Sequence, residues 1–252
     1  MSSLLVTCDT LPAVAWQPQL AAPGGPAGLA LFRVQVSANK DLLPGLRPLL
    51  LAEELLRASK YHRAADHDRF VLARAALRGL LGRYGGHDPR AIRFGSGRNK
   101  KPLALGMPEW HFNVSHAHDW ILLAVATAEV GVDVEKVDDH LPLADILQHS
   151  FSGPEQDFIG RGAASRPLFY QSWTRKEALA KATAQGIDAD FPRLPALDGP
   201  HYLSPPLASS GAAWLVRSFL VAPGYPAAVA YPALSPPLPL GFYDLDVGIF
   251  GS

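Results

Sequence analysis

Cysteine is nearly absent: 252 residues include one, Cys8. No disulfide can form within the chain, so an oxidising compartment is not required. Net charge is lacking too, because Lys+Arg and Asp+Glu each number 23. Without a basic excess there is no bulk attraction to nucleic acid or to an anionic membrane, and any anion binding must come from local clusters. No apolar run is long enough to span a bilayer. The best, Trp120 to Ala128, falls well short of the ~20 residues required. The opening MSSLLVTCDTLPAVAW lacks the basic region of a signal peptide. These absences make a cytoplasmic protein the expectation. Nucleotide loops are missing as well, since neither a P-loop nor a GxGxxG occurs.

What is present suffices for a packed core: 48% of residues are hydrophobic and 18% charged. At roughly 100–200 residues per domain, the length allows one large domain or two small ones. LALFRVQV (Leu29–Val36) reads as a strand after the turn APGGPAG (Ala22–Gly28), and helical spacing follows from about Leu49 to Leu81. GGHDP (Gly85–Pro89) ends that stretch, AIRF (Ala91–Phe94) restarts a strand, and GSGRNKKP (Gly95–Pro102) forms a basic loop. HFNVSHAHDWILLAVAT (His111–Thr127) predicts strand, turn, strand, with GVDVEKV directly behind. A second helical stretch runs from about Leu143 to Ala184, interrupted near GRGAASRP (Gly160–Pro167), and short strands follow at Ala212–Val221, Tyr225–Tyr231 and Gly241–Val247. Each half therefore holds helices plus strands. The expectation is an α+β protein of two similar subdomains, residues 1–127 and 128–252, with no residue-level repeat evident. LSPPLPL (Leu234–Leu240) reads as a surface tail or a polyproline ligand segment.

Four stretches could carry chemistry. In GVDVEK (Gly131–Lys136) the valines alternate as in a half-buried strand, which sets Asp133 and Glu135 on the opposite face about 6–7 Å apart. Two carboxylates so placed can share one cation, or can simply form a solvated face. In WTRKEALAKA (Trp173–Ala182), Trp173, Glu177 and Lys181 recur every four residues and form one helical stripe. That stripe offers a metal ligand or base beside a phosphate-facing lysine, or an ordinary Glu–Lys pair above a core tryptophan. In FNVSH (Phe112–His116), Ser115 and His116 offer a hydroxyl and an imidazole to an oxyanion. No G-x-S-x-G elbow frames Ser115. His116 and His118 lack the further ligands a zinc site needs. Finally Arg57, Lys60, Arg63, Arg69, Arg98, Lys100 and Lys101 group in the first half as surface charge or as a phosphate-binding face.

Read in order, KKP (Lys100–Pro102), FNVSH, GVDVEK and WTRKEALAKA resemble the ordered motifs of the 4′-phosphopantetheinyl transferases, in their monomeric, double-length Sfp-type branch. The resemblance covers about Leu56 to Ile187, and Trp173 follows Asp133 by 40 residues, a separation that fits the family's. Two positions depart from the pattern. Lys100 replaces the glycine usual before Lys-Pro, and the GxGL-like end reads AQGI (Ala184–Ile187).

The resemblance implies that family's fold: two α+β subdomains related by a pseudo-twofold, with coenzyme A in the cleft between them as substrate. By it, residues 1–127 form the adenine and 3′-phosphate side, and residues 128–252 carry the metal-binding and catalytic motifs. It assigns Asp133, Glu135 and Glu177 to Mg²⁺, with Mn²⁺ possible. Lys181 goes to the pyrophosphate, Ser115 and His116 to coenzyme A phosphates, Lys101 and Pro102 to the adenine side, Asn113 to coenzyme A at no named group, and Arg63 to the 3′-phosphate with Arg69 as rival. The implied reaction moves phosphopantetheine to a serine of an acyl or peptidyl carrier protein, with Glu177 as base, Asp133 on the metal and Lys181 assisting departure of 3′,5′-ADP. Neither nucleic acid nor a membrane is an expected partner. A metal-dependent phosphohydrolase and a non-catalytic coenzyme A or carrier sensor are the rival readings.

Overall fold

The computed structural model describes residues 4–18, 28–160, 164–184, 190–203 and 213–251. In chain order the strands and helices are β1 (Leu4–Thr10), β2 (Gln17–Pro18), β3 (Leu29–Gln35), α1 (Leu43–Leu46), α2 (Ala52–Ala58) and α3 (Ala64–Gly85). Then come β4 (Arg93–Ser96), β5 (Pro102–Leu105), β6 (His111–Ala117), β7 (Trp120–Ala126), β8 (Gly131–Val134), α4 (Ala144–Ser150), α5 (Gly153–Ile159) and α6 (Ser165–Thr183). β9 (Gly199–Leu203), β10 (Trp214–Ala222), β11 (Tyr225–Pro232) and β12 (Leu240–Asp244) follow. The expected AQGI end of the second helical stretch lies outside the described residues beyond Ala184, as does most of the APGGPAG turn.

Two five-stranded sheets result, ordered β8-β11-β10-β1-β9 and β6-β7-β3-β12-β2. Counted from β8 or from β6, each runs antiparallel, antiparallel, parallel over its first four strands. The α+β expectation of two similar subdomains is met in this shared order. The terminal strands are exchanged relative to a division at residues 127/128. β1 pairs with β10 and β9, and β12 pairs with β3. The proline-rich run before β12 is thus a connector that returns the chain to the first sheet, not a tail.

Inward alternation explains the layering. Leu29, Leu31, Leu122 and Ala124 meet Val130, Val132, Val134, Phe219 and Val229 in one core between the sheets. The opposite faces are covered by the long helices: α3 over Ala30, Phe32 and Val34, and α6 over Val6, Val216 and Ala228.

An internal repeat that residue identity hides is visible in three dimensions. Glu54 of α2 accepts from the Leu51 N–H and is paired with Arg78 of α3 at 2.8 Å. Glu155 of α5 accepts from the Ser152 N–H and is paired with Lys176 of α6 at 2.9 Å. Both bases are fully buried, and each also donates to two carbonyls of the chain beyond its helix, Pro89 and Ile92 for Arg78, Pro192 and Leu194 for Lys176. A buried charge survives only when paired and hydrogen-bonded in this way.

Candidate active site

β8 is the inner edge of its sheet, and it lies beside β6, the inner edge of the other. Its odd-numbered residues face α6. Gly131 packs so closely that a Cβ there would lie 2.1 Å from the Ala178 carbonyl oxygen, so a larger residue would force the helix away. This contact sets the depth at which the next odd residues, Asp133 and Glu135, meet the helical stripe. Glu177 and Lys181 of α6, Asp133 of β8 and Glu135 just after it, and Ser115 and His116 of β6 line one cavity of about 270 Å³. Trp173, one turn before Glu177, packs among Phe151, Phe169 and Phe191.

Asp133 is the buried centre of the cluster. Its Oδ1 accepts from Lys181 Nζ at 2.6 Å and from Ser115 Oγ at 2.8 Å. Its Oδ2 is buried without a hydrogen-bond partner in the protein. Burial pushes the Asp133 carboxyl above its ordinary range, against the pull of Lys181. Burial, and then the charge of Asp133, raises Glu135 to about 7. Glu177 is raised by burial, with Lys181 opposing and Asp133 adding to the rise. Three carboxyls that resist losing their protons, crowded together, are a site short of positive charge.

The donor types and the orphaned Asp133 oxygen fit a hard divalent cation. Among the described residues, however, no three His, Cys, Asp or Glu side chains are grouped as a ready metal site. Lys181 supplies the positive charge at Asp133 instead.

The remaining expected binding residues fall in different places. Pro102 and Asn113 line a second cavity of about 250 Å³ beside Glu177 and Lys181, together with Lys101. Lys101 Nζ already donates to two backbone oxygens, Val130 at 3.0 Å and Ala182 at 2.8 Å, and burial lowers its pKa to about 8. Asn113 Oδ1 accepts from the Val132 N–H at 2.9 Å. His116 reaches solvent at the mouth. Its imidazole is held below the ordinary range, first by partial desolvation at the cleft wall and then by repulsion from Arg69.

Arg63 stands exposed at the N-cap of α3, and Arg69 is engaged with the His118 carbonyl at 2.9 Å and with Asp66 at 2.7 Å. Two other cations, Arg57 and Arg74, line a cavity of about 200 Å³ with His116, Asn113 and Pro102. Arg74 Nη1 is buried without a hydrogen-bond partner, while its Nε stands 3.4 Å from Glu54 Oε1, and burial lowers the pKa of its guanidinium against the pull of Glu54. Sequence order could not single these two out, because which face of a helix meets the cleft depends on the packing of α2 and α3.

Comparison with known proteins identifies the family. The family model described as the 4′-phosphopantetheinyl transferase superfamily matches residues 129–230, and that for the 4′-phosphopantetheinyl transferase N-terminal region matches residues 40–128. The 4′-phosphopantetheinyl transferase psf-1 of Bacillus pumilus is 30% identical over 166 residues, 63% of this chain and 70% of its own. The 4′-phosphopantetheinyl transferase Sfp of Bacillus subtilis is 26% identical, over 70% of this chain and 80% of its own. The protein slr0495 of Synechocystis is 34% identical over 155 residues, which span 63% of its length.

Proposed function

The chain belongs to the 4′-phosphopantetheinyl transferase family, and from that premise we propose that it moves 4′-phosphopantetheine from coenzyme A to a serine of an acyl or peptidyl carrier protein, releasing 3′,5′-ADP. The observation that carries the reading is the convergence of Ser115, His116, Asp133, Glu135, Glu177 and Lys181 on one cleft between the two sheets. Asp133, Glu135 and Glu177 would hold Mg²⁺, with Mn²⁺ as substitute, and its charge would offset that of the pyrophosphate.

The chain's own groups do the rest. Lys181 stands where an ammonium can stabilise the leaving phosphate oxygen. Glu177, whose raised pKa makes it a stronger base than an exposed carboxylate, takes the acceptor serine's proton directly or through a water. Ser115 and His116 bind coenzyme A phosphates, and Lys101, Pro102 and Asn113 border the adenine side. The 3′-phosphate is drawn to Arg57 and Arg74 beside His116 in preference to Arg63 or Arg69. The acceptor hydroxyl comes from the partner, so no serine elbow is needed. The reading describes a monomeric cytoplasmic enzyme without nucleic-acid or membrane partners. Among the described residues no helix is long and apolar enough to cross a membrane.

Mass spectrometry of apo carrier proteins incubated with the enzyme, coenzyme A and Mg²⁺ tests the proposal. A gain of one phosphopantetheine, abolished by chelator, is expected. No gain across fatty-acid, polyketide and peptide carriers would sink it. Release of 3′,5′-ADP without any carrier would instead favour the phosphohydrolase. A Glu177→Ala enzyme that transfers normally would favour the sensor.

A further inference from the structure

β8 pairs with β11 on one side only, so half its backbone groups point away from its own sheet. Glu135 and Val137 turn their N–H groups toward the β11 side, onto Pro226 and Gly224. Val132 and Val134 turn their N–H groups, and Val130 its carbonyl, toward the first-half sheet. Buried backbone groups left unmet there would be costly, and a free strand edge would have no fixed register. In place of a backbone ladder, three side chains from the first half meet them in steps of two residues. Lys101 Nζ donates to the Val130 oxygen at 3.0 Å, Asn113 Oδ1 accepts from the Val132 N–H at 2.9 Å, and Ser115 Oγ accepts from the Val134 N–H at 3.4 Å. Lys101 extends the tie by donating to the Ala182 oxygen at 2.8 Å. That carbonyl is among the last four of α6, where a cation also favours the helix dipole.

We infer that Lys101, Asn113 and Ser115 form a side-chain ladder that docks the free edge of β8 onto the first-half sheet, and that Lys101 and Asn113 are thereby positioning residues that fix where Asp133 stands. The ladder spans both parts of the active site. One rung fastens the start of β8 to the end of α6, and another, Ser115, touches Asp133 itself. Slippage of β8 by a fraction of an ångström would move Asp133 against Lys181 and Glu177, and misplacement on that scale is felt in the chemical step more than in ground-state binding. Lys101 and Asn113, which the family resemblance assigns to coenzyme A, therefore spend these hydrogen bonds on the scaffold.

The functional part of this inference rests on the transferase reading; the structural part does not. Asn113→Leu removes the acceptor at similar volume, Lys101→Met removes the charge at similar length, and Lys101→Arg keeps a cation for the two carbonyls. In Asn113→Leu, amide hydrogen exchange followed by NMR is expected to quicken at Val132 by about tenfold or more, while Val229 in β11 keeps its protection. In Asn113→Leu and Lys101→Met, coenzyme A affinity measured by calorimetry with Mg²⁺ present should stay within about threefold while kcat for transfer falls about tenfold. Lys101→Arg should restore most of the loss. Coenzyme A binding weakened tenfold or more with kcat unchanged, or unaltered exchange at Val132, would overturn the inference. Should Asn113→Leu fail to fold, the two Lys101 variants decide through the split between affinity and kcat. A wild-type enzyme that binds but never transfers would refute the transferase reading while leaving the exchange result to judge the ladder.

Discussion

The α2–α3 and α5–α6 units are built on one device, yet only one of them opens into the site. In both, a glutamate on the short helix receives the N–H that precedes it and neutralises a fully buried base on the long helix. One residue beyond the base they part. After Arg78 comes Gly79, where a Cβ would lie 2.4 Å from the Phe250 ring, so that face is sealed. After Lys176 comes Glu177, whose side chain enters the cleft. The inner sheet edges differ in the same sense. β6 brings neutral Asn113 and Ser115, and β8 with the residue after it brings Asp133 and Glu135. A repeated scaffold thus carries one asymmetric site, and the shared buried pairs hold both copies while the cleft-facing positions diverge.

The comparison can be broken first at its common element. Glu155→Ala and Glu54→Ala each leave a buried base unpaired and are expected to cost about 3–5 kcal/mol in denaturant unfolding. If one costs little and the other much, the repeat is geometric and not energetic. The edges should separate next. Asp133→Ala is expected to lower transfer ~10²-fold or more while the thermal midpoint moves by only a few degrees. Normal transfer by that variant would remove β8 from the site. Third, Gly131→Ala forces a methyl onto the α6 backbone and should cost about 1–3 kcal/mol. An unchanged thermal midpoint would show that α6 can shift freely from β8.

A titration distinguishes the edges more finely. Glu135 keeps its proton to about 7 when folded, whereas an ordinary glutamate gives it up near 4.5. Between those values the folded protein binds the extra proton, so this group's contribution to stability falls as pH rises from about 4.5 to about 7 and is level above. Glu135→Gln should therefore gain stability relative to wild type across that window. A difference that stays flat with pH would refute the shift. The smallest effect concerns the helix ends. α3 stops on Gly86 at φ 66°, whereas α6 stops on Ala184 at φ 53°, where a side chain is strained. Ala184→Gly is expected to stabilise by about 1 kcal/mol or less, a gain that calorimetric unfolding would detect. Ala184 is also one of the two positions, with Lys100, at which the sequence departs from the glycine of the motif it resembles.

Much of the cleft is legible in the sequence because local periodicity sets it. Alternation in GVDVEK faces Asp133 and Glu135 one way, and four-residue spacing faces Glu177 and Lys181 another. What periodicity could not show depends on partners far along the chain. Arg175 and Lys176 stand inside the same helical motif, yet they are anchors, Arg175 on Ser218 and Ala196, Lys176 on Glu155. β1 is not among the predicted strands, and only its pairing with β10 gives the alternation of Leu4, Val6 and Cys8 a face to bury. Arg57 and Arg74 reach a cavity because α2 and α3 present those sides to β6, which no spacing along either helix reveals.

The sequence by itself determined the ordered motifs, the family they resemble and the face on which each motif's acids and bases stand, because strand and helix periods are local properties of the chain. Tertiary structure decided the rest: which strands were exchanged between sheets, which cations became struts, and that Lys181 rests on Asp133. Those outcomes follow from burial, where a charge takes the nearest partner that offsets its lost water, and that partner is set by the fold and not by the neighbouring residue.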